Sequence, residues 1–390
     1  MSTEALPSAA DSSTRPEADR QHVVQVALSY PPRIGGMENV TQAIAQHLAA
    51  AYRVEVLTTT VGAERAPHTE TTDGVRVRRC RGVTVAHTPV SPGLVLALLV
   101  LPRSSIVHAH LTHAFLPEAV WLTSRLRRRP YIAHFHLDVD PSGPLGFLLR
   151  HYKRLVFGPV LRAAHTVIAL SDAQADFLSA SYGVSRDRLT VVPNGVSDAF
   201  FRIRAVVSTR SAPRRLRLLF VGRLDPQKNV QRLLEAVSLC TGMTDLVVVG
   251  DGEERDRLVA LVADLGLRHV RLVGTQRGAD LQRWYSWADA FVLTSDREGM
   301  SISLLEAMAA GLPVIATRVP GTVELLEGVG ALAAPTPTDV AATISQVATD
   351  ADLRHELATR SREAGRKLSW PNRISQLDEI YLDLQRNRRC

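Results

Sequence analysis

Residues 22–60, HVVQVALSYPPRIGGMENVTQAIAQHLAAAYRVEVLTTT, decide the fold class. His22 to Tyr30 is an apolar run of strand length that ends on a proline pair. Met37 to Ala50 repeats its apolar residues with helical period, and Tyr52 to Thr60 again reads as a strand. Strand, turn, helix and strand make one βαβ unit, and the rhythm spreads outward. Further strands are expected at Ser105 to His110, Tyr131 to His136 and Thr166 to Ser171, with helices across Phe115 to Arg128 and Leu145 to Arg162. The rhythm breaks at Pro193-Asn194-Gly195 and again in the basic, Ser/Pro-containing stretch Arg202 to Arg215. It restarts with strands at Leu216 to Val221, Asp245 to Gly250, Val270 to Val273, Ala290 to Thr294 and Pro313 to Thr317. Helices are expected between them and at Ser303 to Ala310, Pro337 to Ala348, Leu353 to Lys367 and Pro371 to Gln385. This is an α/β chain with two successive parallel sheets covered by helices.

The composition agrees. A chain of 390 residues exceeds one ordinary core, and 45% hydrophobic with 22% charged residues is a globular balance. The expected division is a disordered leader over 1–20, a first domain over 21–200, a linker over 201–215, a second domain over 216–369 and a C-terminal helix over 370–390. Residues 1–20 hold no apolar stretch of the secretory kind. The longest purely apolar run, Leu94 to Leu101, is far short of the about 20 residues that span a bilayer. Cys80, Cys240 and Cys390 are far apart and odd in number, which argues against a disulfide framework or a zinc site and fits a reducing, cytoplasmic compartment. A net charge of +7 and a pI near 9.7 allow an acidic partner. The densest basic cluster, Arg125 with Arg127 to Arg129, reads as the solvated end of a helix.

Ligands of parallel sheets bind beyond the carboxyl ends of the strands, so the strand-to-helix turns carry the chemistry. The dinucleotide fingerprint GxGxxG is absent: Gly250-Asp251-Gly252 lacks the third glycine. Gly35-Gly36 sits directly before a helix, where backbone amides can approach a phosphate; the same pair also suits a plain tight turn. In Gly222-Arg223-Leu224-Asp225-Pro226-Gln227-Lys228, Arg223 offers a planar fork and Lys228 a mobile charge, a pair suited to a leaving pyrophosphate or simply to solvent. The most informative segment is Ser295-Asp296-Arg297-Glu298-Gly299-Met300-Ser301-Ile302-Ser303-Leu304-Leu305-Glu306. A loop carries Glu298, and the amides of Gly299, Met300, Ser301 and Ile302 open a helix that carries Glu306. Such amides hold phosphate oxygens, Glu306 can accept from ribose hydroxyls and Glu298 from sugar hydroxyls. Acids near a helix start also serve as ordinary caps.

Taken in order, Gly35-Gly36, Arg223 with Lys228, and Glu298-x7-Glu306 make the chain resemble glycosyltransferase family 4, retaining enzymes of the GT-B fold, over about residues 22–387. The resemblance implies two Rossmann-like domains facing across a cleft, with a C-terminal helix, led by Ser369-Trp370-Pro371, crossing back onto the first. It places Arg223 and Lys228 on the donor diphosphate, Glu306 on the ribose and Glu298 beside the donor sugar. Gly35 and Gly36 match the glycine-rich loop, and His136 a histidine near the reacting sugar, with His134 as the alternative. His110 resembles a structural or acceptor-side residue. Many relatives carry an aromatic or Leu, then Gly or Pro, where this chain has Met300-Ser301; Ser301 can still cap the helix, so donor-sugar selectivity is the property this departure touches.

The expected function is transfer of a hexose or N-acetylhexosamine, with retention, from a nucleotide sugar to a hydroxyl of a small-molecule, natural-product or glycan acceptor. UDP is the commonest donor base in the resembled family. His136, Arg223, Lys228 and Glu298 are the expected catalytic group, and Glu38, His110 and Asp138 the expected acceptor contacts, with Asp140 nearby. No metal and no further cofactor is expected, since no Asp-rich motif flanks the diphosphate site, and no nucleic-acid partner, since aromatics are only 5%. Two alternatives stand: a nucleotide-sugar epimerase on the same fold, and a peripheral-membrane transferase acting on a lipid-linked acceptor. The basic, amphipathic stretch from Pro144 to Phe157 motivates the second, although it equally suits packing on the first sheet.

Overall fold

The computed structural model describes residues 20–33, 35–85, 88–111, 114–136, 151–203 and 215–388. Contacts divide the chain into two compact units. One runs to Asn194 and takes back the chain from Trp370; the other spans Gly195 to Ser369. Residues 195–203, expected in the first domain or the linker, therefore go with the second unit, where Phe200 and Ile203 enter the apolar core.

The first unit is built on an eight-stranded sheet. Across it the strands run Leu189–Val191, Thr166–Ala169, Tyr131–Phe135, Ile106–Leu111, His22–Val26, Arg53–Thr59, Val75–Cys80 and Thr69–Thr72. All pairings are parallel except the last, which is antiparallel. His22–Val26 lies between Arg53–Thr59 and Ile106–Leu111, so the chain changes direction across the sheet at that point. Such a reversal opens a crevice at the carboxyl ends of the strands.

The period of two along these strands sorts their side chains. Val107, Ala109, Leu111, Tyr131, Ala133 and Phe135 enter the apolar core on one face. His108, His110 and His134 therefore stand on the other. The helix Trp370–Asn387 covers that second face with Leu377, Ile380, Tyr381 and Leu384, one apolar stripe at helical spacing. Tyr381 meets Tyr52 edge-on at 5.7 Å between ring centroids, the Tyr52 hydroxyl donates to Asp378, and Arg388 reaches the carbonyls of Ser104 and Ser105 at 2.9 and 3.0 Å. The C-terminal helix thus returns to the first unit.

Several elements were not foreseen. The strands Thr69–Thr72 and Val75–Cys80, the hairpin Val83–Val85 with Thr88–Val90, and the helices Pro92–Val100 and Asp172–Tyr182 are all additional. Thr69–Thr72 and the two hairpin strands, of four, three and three residues, are too short for a period to register. The helices are set by their ends: Ser91 accepts from the Leu94 amide, and Ser171 accepts from the Gln174 amide, with Gly183 left-handed at the C-terminus.

The second unit carries six parallel strands in the order Val270–Gly274, Thr244–Val249, Leu216–Val221, Ala290–Leu293, Val314–Thr317 and Ala331–Ala333. The direction change falls between Leu216–Val221 and Ala290–Leu293. The glycines of Gly250-Asp251-Gly252 are explained by backbone approach. A Cβ on Gly250 would lie 1.8 Å from the Gly222 carbonyl oxygen, and one on Gly252 2.3 Å from that of Leu224. They press the loop after one strand onto the loop after its neighbour. Among the described residues no helix is long and apolar enough to cross a membrane.

Candidate active site

The loops that follow Leu216–Val221 and Ala290–Leu293 leave the second sheet side by side. Lys228 and Glu298, 70 residues apart in sequence, therefore meet, with Lys228 Nζ 2.6 Å from Glu298 Oε1. The Ser295 hydroxyl donates to the same oxygen. Both donors use Oε1, which leaves the accepting capacity of Oε2 for another hydroxyl. The two loops are cross-tied. The Asp296 amide donates to the Gln227 carbonyl at 2.9 Å, and Gln227 Nε2 donates to the Arg297 carbonyl at 3.0 Å. The Asp225 carboxylate receives the Lys228 amide at 3.0 Å. Behind Glu298 lies Gly321, at φ +86°, where a Cβ would stand 2.2 Å from the Glu298 carbonyl oxygen. Only glycine admits that approach. Arg223 is the outlying cation: it pairs with Asp225 at 3.0 Å but keeps 69% of its side chain exposed.

Glu306 has a different setting. It lies one turn into the helix Ile302–Ala310 and receives the Tyr285 hydroxyl at 2.7 Å on Oε2. Burial pushes its carboxyl up to about 7, partly offset by that hydrogen bond. Ser301 occupies the position before the helix, yet its side chain caps no amide, contrary to expectation. Its hydroxyl is instead 3.1 Å from that of Ser303. Ser301 thus leaves the first-turn amides uncapped by its own side chain, and a phosphate is a suitable acceptor for amides at a helix start.

In the first unit, Gly35 precedes the helix Gly36–Leu48, and Gly36 faces open space. A Cβ on Gly35 would meet the Glu38 carboxylate at 2.2 Å, so that carboxylate folds over the helix start. Its Oε1 lies 3.8 Å from Arg33 Nε. Asp138 and Asp140 lie outside the described residues.

His110, expected as a structural or acceptor-side residue, is fully buried. It belongs to a row of four histidines, His108, His110, His134 and His136, with neighbouring ring centroids 4.3–5.3 Å apart. His136 Nε2 is 2.9 Å from His110 Nδ1, and His110 Nε2 is 2.6 Å from Gln25 Oε1. Gln25 Nε2 donates to the Tyr381 hydroxyl at 3.0 Å, which is 2.7 Å from His108 Nδ1; His108 Nε2 is 3.1 Å from His134 Nδ1. Burial lowers the pKa of His108 to about 3 and of His136 to about 4, and pushes His110 and His134 well below the usual imidazole range. All four rings are therefore neutral near pH 7. Nitrogens of His108, His110 and His134 lie within 4.8 Å of one another, a spacing that suggests a metal. A cation needs a lone pair from each ligand, whereas each close nitrogen contact here is satisfied by one proton on one partner. The row is a hydrogen-bonded chain.

Sequence reading missed Gln25, Ser295, Tyr285, Gly321 and Tyr381. Ser295 and Gly321 lie near quoted motifs but carry no signal of their own. Gln25 and Tyr381 are 356 residues apart. No local pattern could have paired them.

Comparison with known proteins gives this architecture a class. The sequence profile described as "Glycosyl transferase 4-like domain" matches residues 35–195, and "Glycosyl transferases group 1" matches residues 204–364. The structure is similar to Anabaena HepE in complex with UDP and glucose, with a TM-score of 0.72 at 20% identity, covering 93% of this chain and 99% of that one. That likeness, to a sugar-transferase architecture of two Rossmann-like halves, establishes the GT-B fold. An uncharacterised glycosyltransferase of Methanocaldococcus jannaschii is 28% identical over 92% of this chain and 97% of its own length. A D-inositol 3-phosphate glycosyltransferase of Salinispora arenicola is 30% identical over 89% of this chain and 87% of its own. The chain belongs to the family 4, or group 1, glycosyltransferases and is a sugar-transferring enzyme.

Proposed function

We propose that the chain transfers a hexose or N-acetylhexosamine, with retention at the anomeric carbon, from a UDP-linked donor to an acceptor hydroxyl. The observation that carries this reading is the Lys228–Glu298 contact at the reversal of the second sheet. It sets a cation suited to diphosphate beside a carboxylate suited to a sugar, next to a helix start without a side-chain cap. The relative that binds UDP and glucose supports the choice of base. In the reaction the bond from the anomeric carbon to the diphosphate breaks and a bond to the acceptor oxygen forms on the same face. The acceptor's proton passes to a phosphate oxygen, so no protein base is required. Lys228, Arg223 and the amides of Gly299 to Ile302 stabilise the charge growing on the leaving diphosphate. Glu306 holds the ribose, Glu298 and His136 the sugar, and Gly35, Gly36 and Glu38 lie on the acceptor's side. This chemistry needs neither a metal nor a further cofactor.

The test is turnover of UDP-sugars with and without hydroxyl acceptors, in the parent and in Arg223→Ala. Acceptor-dependent release of UDP, reduced about 100-fold in the variant, is expected. Conversion of the donor to another nucleotide sugar without acceptor would support the epimerase instead.

One observation favours a lipid-linked acceptor presented at a membrane. Leu96, Val100, Leu122, Leu126 and Leu155 are 46–73% exposed. They lie on three segments, Pro92–Val100, Leu116–Arg127 and Lys153–Phe157, whose inner residues share one core against the same sheet face. Exposed Arg103, Arg125, Arg128 and Arg154 accompany them. Apolar side chains rimmed by arginines suit an anionic bilayer surface. Flotation with vesicles containing phosphatidylglycerol should recover the protein, and Leu126→Ser with Leu155→Ser should release it. Equal recovery with neutral vesicles, or none with either, sinks this variant of the reading.

A further inference from the structure

The histidine row contains one link that does not titrate. Gln25 is fully buried, and its amide has one end that only accepts and one that only donates. Proton positions along the row follow from it. Gln25 Oε1 accepts from His110 Nε2 at 2.6 Å, so His110 carries its proton there and offers a lone pair at Nδ1. That lone pair faces His136 Nε2 at 2.9 Å, which places the His136 proton on Nε2 and leaves Nδ1 an acceptor. On the other side Gln25 Nε2 donates to Tyr381 at 3.0 Å, and Tyr381 donates to His108 Nδ1 at 2.7 Å. His108 Nε2 then donates to His134 Nδ1 at 3.1 Å. A half-turn of the Gln25 amide reverses every one of these protons. The tautomer of His136 is thus linked, through one intervening ring, to a residue that never meets substrate.

We propose that Gln25 is a positioning residue for sugar transfer: acting through His110, it holds His136 in the Nε2-protonated tautomer, whose free Nδ1 accepts a hydrogen bond from a sugar hydroxyl. The inference rests on the reading of His136 as a contact of the donor sugar. Burial keeps all four rings neutral near pH 7, so the arrangement is carried by tautomers rather than by charge. The division of labour matches metal sites, where a partner of the distal ring nitrogen fixes the tautomer and its loss costs about 10–100-fold. His136 is 8% exposed while His108 and His110 are fully buried, so His136 is the member of that chain able to meet a ligand.

The experiment uses the full chain labelled with 15N-histidine, in which two-bond proton–nitrogen correlations distinguish the tautomers, together with donor turnover. In the parent, His136 should show its proton on Nε2. In Gln25→Leu, His110 loses its acceptor; the His136 signals should become a mixture of tautomers, and kcat/KM should fall about tenfold. In Gln25→Glu a carboxyl oxygen still accepts from His110, so the tautomer and most of the turnover should return. Tyr381→Phe removes one donor to His108, but Gln25 Nε2 also lies 3.3 Å from His108 Nδ1, so the tautomers of both His108 and His136 should stay in place; a changed His136 in that variant contradicts the scheme even if Gln25→Leu fails to fold. A parent His136 protonated on Nδ1, an unaltered tautomer in Gln25→Leu, or mixed tautomers with full turnover each overturn the proposal. The spectra need no substrate. A chain with the expected tautomers but no nucleotide-sugar turnover therefore defeats the functional reading without touching the proton assignment.

Discussion

Replacing Lys228 with Ala should lower kcat/KM for the donor by about 1,000-fold, some 4 kcal/mol of transition-state stabilisation, and should also destabilise the fold. The two effects have separate origins. In the proposed reaction Lys228 Nζ meets the leaving diphosphate, and in the structure it is the cation facing a carboxylate whose side chain is only 5% exposed. Removing one partner of a buried pair leaves the other charge uncompensated, at about 3–5 kcal/mol. A second substitution separates them. Glu298→Gln in the Lys228→Ala background removes the stranded charge while Ser295 can still bond the amide oxygen. The double variant should regain most of the urea midpoint and none of the turnover. A Lys228→Ala enzyme with near-normal turnover contradicts the assignment.

The second large effect is on stability against acid. Burial holds His108 at about 3 and His136 at about 4 in the folded chain, against about 6.5 when unfolded, and lowers His110 and His134 well below that unfolded value. The folded state therefore binds fewer protons than the unfolded state between these values. The stabilisation is complete above the unfolded pKa and is lost as pH falls below about 6.5 towards the folded values. His108 and His136 alone should cost about 4 kcal/mol between pH 7 and pH 5. Unfolding free energies from urea titrations across pH 5 to 6 should fall with a slope of at least about two protons, about 2.5 kcal/mol per pH unit, from His108 and His136, with His110 and His134 adding in the same direction. A slope near zero means that the row is hydrated or already protonated, and the tautomer chain falls with it.

Much of the fold was legible because its signals are local and repeated. The runs around Val23, Val54 and Val107 read as strands, and Pro371 to Gln385 as a helix. The arrangement of the 298–306 segment was legible because a loop acid, a helix start and a helix acid lie within one short stretch. What escaped depends on contacts between distant parts. Gly250 and Gly252 looked like a failed dinucleotide fingerprint, yet they are glycines because the neighbouring loop's backbone lies against them. Ser301 has a residue type that caps helices, but its hydroxyl turns to Ser303. His110 stands in a motif that invites a ligand role, and alternation along the strand turns it inward onto Gln25. Residue type and spacing gave its address; a partner 85 residues away gave its surroundings.

The most direct test of the donor site uses the carboxyl of Glu306, which titrates at about 7 and must be ionised to accept ribose hydroxyls at full strength. UDP-glucose is a suitable probe, because its diphosphate diester keeps a constant charge over this range. Calorimetric titration of the full chain at pH 6 and pH 8 should show binding about tenfold tighter at pH 8, the ratio of ionised fractions for a group at about 7. Glu306→Gln should bind more weakly at pH 8 and lose the pH dependence. An affinity that is the same at both pH values in the parent, or a dependence that survives in Glu306→Gln, contradicts the placement of the nucleotide on this helix.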